Sequence, residues 1–64
     1  MAIYGTRTAE AIVYAKDSCA RRERDIVVWR MDDRVGVTSD LPEGAILIGT
    51  ARFAGRGVLW EPAA

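Results

Sequence analysis

The stretch DIVVWRM, residues 25–31, decides the fold. Strand side chains alternate between the two faces of a sheet. Ile26 and Val28 therefore point one way, and Val27, Trp29 and Met31 the other. Both sides are apolar. DD follows at Asp32 and Asp33, then RVGVTS at residues 34–39. The two aspartates tolerate the left-handed backbone a tight hairpin needs, so two strands joined by a two-residue turn are predicted.

Register then fixes the faces, because a one-residue slip moves every side chain to the other side. With a two-residue turn, Met31 pairs with Arg34, Trp29 with Gly36 and Val28 with Val37. One face carries Ile26, Val28, Val35 and Val37; the other carries Val27, Trp29, Met31, Arg34, Gly36 and Thr38. Trp29 over Gly36 covers a bare strand glycine. A three-residue loop would instead put Val27, Trp29, Met31, Val35 and Val37 in the core. The first register is favoured, since its aliphatic set is the natural bed for a helix.

That helix lies upstream. Residues 8–22 read as one, with Thr8 as N-cap and Glu10 in the first turn, where the helix dipole favours an anion. Arg21, Arg22 and Arg24 stand at the far end. At 100° per residue, Ala9, Ile12, Val13, Cys19 and Ala20 gather on one side, with Lys16 snorkelling outward from the same stripe. Tyr14, Asp17, Ser18 and Arg21 take the opposite side.

Downstream, SDLPEG is a loop punctuated by Pro42 and Gly44. AILIGTARF (residues 45–53) is a third strand, AGRG a turn, and VLWE (residues 58–61) a fourth. MAIYG at the start can form a short fifth strand on an edge. Short connections place successive strands side by side. The expected fold is a single α+β domain spanning residues 1–64, one N-terminal helix packed on an antiparallel three- to four-stranded meander.

Helix and first hairpin, through TAEAI (residues 8–12) and DIVVWRMDDRV (residues 25–35), resemble a family of small bacterial α+β domains of unknown function. The family opens with a hairpin that this chain lacks, and this chain adds the strands from residue 45 onward. The resemblance implies helix-on-hairpin packing and the two-residue turn. It implies no activity.

Composition narrows the functional classes. A 64-residue chain buries only about 60% of the surface its unfolded form exposes. Cys19 is the only cysteine and there is no histidine. An internal disulfide is excluded, and a structural zinc site lacks ligands. No cofactor is called for. The net charge is zero and eight of nine cations are arginine, which gives no bulk attraction to nucleic acid or an anionic membrane. No run approaches the roughly 20 apolar residues of a membrane span. A cytoplasmic bacterial or phage accessory protein is the expectation.

Catalytic signals are poor, because the commonest general base near neutral pH is missing. Lys16 beside Cys19 is the one pairing able to activate a thiol. Asp32, Asp33, Asp40 and Glu43 read as turn residues. FAGRGVLW contains no phosphate-binding glycine motif.

What remains is surface. One helix covers one face, so the far face calls for another molecule. Val27, Trp29 and Met31 are the expected anchors and Arg30, Arg52 and Arg56 the polar rim. The primary reading is a non-catalytic protein-interaction module, with inhibition of the partner as one mode of action and a twofold homodimer, sheet face to face or edge to edge, as its simplest assembly. The alternative is a nucleic-acid-binding module in which Arg52, Phe53, Arg56 and Trp60 stack and pair with single-stranded bases.

Overall fold

A computed structural model describes residues 2–3 and 7–63, the first pair by backbone alone. In chain order the elements are β1 (Ala2–Ile3), α1 (Thr8–Arg22), β2 (Ile26–Met31), β3 (Arg34–Thr38), β4 (Ile46–Ala54) and β5 (Gly57–Pro62). The fold is α+β: one helix lies on an antiparallel sheet whose four long strands are β2 to β5, with β1 as a two-residue addition on the β3 edge. The fifth strand read from MAIYG is present at Ala2–Ile3; Met1, Tyr4 and Gly5 lie outside the described residues.

The first hairpin has the expected register, with Met31 opposite Arg34, Trp29 opposite Gly36 and Val28 opposite Val37. Asp32, the first turn residue, has φ 56°, a conformation aspartate tolerates better than most side chains. Ile26, Val28, Val35 and Val37 face the helix and are buried with Ala51 of β4.

The helix sits on this bed in a different phase from the one its sequence suggests. Ala11, Ala15, Ser18 and Cys19 are buried, whereas Ala9 and Ala20 are exposed and Val13 is 67% exposed. The reason is space. Ile26, Val28, Val35 and Val37 already fill the sheet surface, with Phe53, Val58 and Trp60 packed against the same cluster. Only a stripe of small side chains lets the helix backbone come close. Hydrophobicity alone pointed to Ile12 and Val13; packing selected the smaller side chains. Thr8 is the first helical residue and not the cap. Arg7 occupies the N-cap without a side-chain capping hydrogen bond, and its guanidinium pairs with Glu10 at 3.3 Å. Glu23 closes the helix at φ 54°.

The sheet is not a simple meander. Its order is β1-β3-β2-β4-β5, so β4 lies beside β2 and not beside β3. A two-residue turn forces its strands to be neighbours; the seven-residue connection 39–45 does not. The most apolar strand thus takes the centre, flanked on both edges. Both β3 and β4 are antiparallel to β2, so they are parallel to each other. Thr38 ends opposite Val27, while Ile46 starts opposite Arg30 at the other end of β2. Residues 39–45 must therefore return along the strand and cross the sheet. The helix occupies one face, and the crossing is on the other.

Candidate functional site

Trp29 is the central side chain beneath that crossing. It is 4% exposed. Its indole lies over Gly36 so closely that a Cβ there would collide with the ring. The indole Nε1 donates to Thr38 Oγ1 at 2.9 Å, and Thr38 Oγ1 in turn donates to the Asp40 carbonyl at 2.6 Å. This relay satisfies the buried indole N–H and fixes the start of the crossover on the far face. The expectation of Trp29 as an exposed anchor is corrected here. The chain itself buries it, and its N–H is tied through Thr38 to the first residues of a connection that the meander reading did not contain.

Val27 and Met31 share the far face and are half-buried. Arg30 does not share it. Its strand position puts it on the helix side, opposite Val35 and Ile46, where it is exposed beyond the helix.

The β4–β5 hairpin divides its side chains in the same way. Ala51 pairs with Trp60 and Phe53 with Val58 on the helix side. Trp60 lies against Gly49 as Trp29 lies against Gly36, but it is only half-buried. A bulge between Val28 and Trp29 inserts Ile48 as an extra residue in β4. Ile48 thereby joins the helix-side cluster while Leu47 stays opposite Trp29.

On the far face Arg52 stands opposite Leu59, and Thr50 opposite Glu61. Arg52 Nη1 is 3.3 Å from Glu61 Oε1, and Arg52 Nε is 3.9 Å from Asp25 Oδ2. Asp25 Oδ1 also accepts the Phe53 backbone N–H at 2.9 Å. This exposed network spans the end of β2, β4 and β5, and such pairs contribute at most about 1 kcal/mol each. Leu59 beside it is 55% exposed.

These positions separate the residues of the nucleic-acid reading. Phe53 and Trp60 face the helix, Arg52 lies on the other face between two carboxylates, and Arg56 is exposed in the hairpin turn. No single surface presents both rings and both guanidinium groups.

Two features escaped sequence reasoning. One is a cleft of about 110 Å³ between the helix and the end of β3, lined by Tyr14, Ser18, Arg22, Ile26, Val37, Thr38 and Ser39. Placing Ser18 on the outer side of the helix concealed it. The other is the open edge of β5. Cys19 is fully buried, and burial, aided by the negative charge of Asp25, pushes its thiol up from its ordinary value. That is the opposite of an activated nucleophile. Among the described residues no group of three His, Cys, Asp or Glu side chains is placed to hold a metal ion, and no helix is long and apolar enough to cross a membrane.

No family model, curated protein or solved structure matches the chain.

Proposed function

We propose that the protein is a non-catalytic interaction module, a small accessory protein that acts by binding another macromolecule. The contact surface in this reading is the far face from β2 to β5, with Val27 and Leu59 as its apolar parts and Arg52 as its polar part. One observation carries it: on the far face Leu59 is 55% exposed, beside Arg52 and an open strand edge. The nucleic-acid reading lacks a surface that joins Arg52 to Phe53 and Trp60.

The test is retention from an extract of the source cell on immobilised protein, washed at rising salt. Protein partners held at high salt by the native chain, and lost on Leu59→Arg, support the reading. Partners that are nucleic acids elute as salt rises, and their recovery would replace it.

A further inference from the structure

The open edge of β5 has a specific hydrogen-bonding polarity. The Ala63 backbone N–H donates to the Ile48 carbonyl at 2.9 Å, inward toward β4. Backbone groups alternate sides along an antiparallel strand. Gly57, Leu59 and Glu61 therefore also bond inward, while Val58, Trp60 and Pro62 turn their backbone groups outward. The two-residue hairpin turn at Gly55 and Arg56, with Ala54 opposite Gly57, gives the same parity. Proline has no N–H, so the edge offers two outward donors, those of Val58 and Trp60, before Pro62 ends the series.

This edge is complementary to itself. We infer that it pairs with the β5 edge of a second copy of this chain, antiparallel and about a twofold axis at Leu59, making one continuous ten-stranded sheet. This inference rests on the interaction reading and names the first partner of that surface. In the register centred on Leu59, Val58 of one chain faces Trp60 of the other, twice. Each pair exchanges two hydrogen bonds, so all four outward N–H groups of the dimer are used. On the far face Leu59 meets its own copy, covering a large apolar side chain that is 55% exposed. On the helix side each Val58 meets a Trp60, a favourable cross-strand combination. Glu61 falls opposite Gly57, so no like charges face each other.

Neighbouring registers are poorer. Centring on Trp60 puts Pro62 opposite Val58, which forfeits hydrogen bonds, and sets Glu61 against Leu59. Centring on Val58 runs Trp60 onto the turn residue Arg56. The β1 edge, with two residues, offers a far shorter ladder.

Light scattering of the full chain should give twice the 7.0 kDa chain mass. Opposed residues of a non-hydrogen-bonded pair have Cα atoms about 4.5 Å apart, within reach of a disulfide. Leu59→Cys should therefore oxidise to a covalent dimer. Glu61→Cys should not, because the two positions stand four residues apart in register, roughly 13 Å. Leu59→Lys sets like charges opposite each other and should weaken association roughly tenfold, with circular dichroism unchanged. A native chain of monomeric mass at 0.5 mM or so would overturn the inference, as would Glu61→Cys cross-linking in place of Leu59→Cys. Should a monomer still retain salt-resistant protein partners, the twofold is wrong and the interaction reading stands.

Discussion

Trp29 and Trp60 sit on opposite sides of one sheet, and each lies over a strand glycine, Gly36 or Gly49. Locally the two arrangements are alike: an indole occupies the space above a residue with no side chain. Their surroundings differ. Trp29 is on the central strand under the crossover, with its N–H tied to Thr38, and is 4% exposed. Trp60 is on the edge strand at the margin of the helix and stays half-buried. How well an aromatic side chain is sealed depends here on strand position in the sheet more than on the pairing beneath it.

The largest test of this contrast is truncation. Trp29→Ala should cost about 3–5 kcal/mol, which in a domain this small unfolds much of the population at room temperature. Trp60→Ala should cost about half as much. Urea titration followed by far-ultraviolet dichroism measures both, and equal losses would break the comparison. An unfolded Trp29→Ala chain also separates a core role from an interface role, since an interface anchor would leave the monomer intact.

The glycines give the next contrast. Gly36→Ala drives a methyl group into an indole with no room to move, for a cost of about 1–3 kcal/mol. Gly49→Ala meets an indole that can swing toward solvent, although the Glu61 carbonyl also crowds that position. Its cost should be smaller, near 1 kcal/mol, and denaturation midpoints rank the pair. Thr38→Val comes third. It leaves the Trp29 N–H without its acceptor and the Asp40 carbonyl without its donor, for about 1–2 kcal/mol, with a shift in tryptophan emission that no change near Trp60 should reproduce.

The smallest effect belongs to the helix side. Cys19 is neutral in both folded and unfolded chains below the ordinary thiol pKa of about 8.5. Above it the unfolded thiol ionises while the folded one, its pKa raised by burial and Asp25, does not. Stability should hold below that pH and decline as pH rises from the unfolded toward the folded value. Cys19→Ala should remove this part of the alkaline slope without altering the emission of Trp29.

Much of the architecture is legible in the residues, and the exceptions have physical causes. Alternation in DIVVWRM, with the Asp32–Asp33 turn, was enough to set the first hairpin, its faces and the contact between Trp29 and Gly36. The limits of the helix followed from a change of period. Its phase did not, because Ala11, Ala15 and Ser18 were chosen for size, and hydrophobicity barely distinguishes such residues from Ala9 or Ala20. Strand order was also hidden. A period of two marks strands without saying which neighbour each will take, and the length of residues 39–45 was the one sign that β3 and β4 need not be adjacent. From that omission followed the misplacement of Trp29 in the candidate surface. Arg52, Phe53 and Trp60 could have been separated by parity alone, since Arg52 is out of step with both rings.

The strand order also determines where the sheet comes apart. Hairpins β2–β3 and β4–β5 are each closed by a two-residue turn, whereas the β2–β4 ladder between them has no turn of its own, the two hairpins being linked through residues 39–45, and is interrupted by the bulge at Ile48. Partial opening should follow this seam. Amide protons bridging β2 and β4 should then exchange with solvent before those inside either hairpin, so that the protein breathes as two halves hinged on the segment that shelters Trp29.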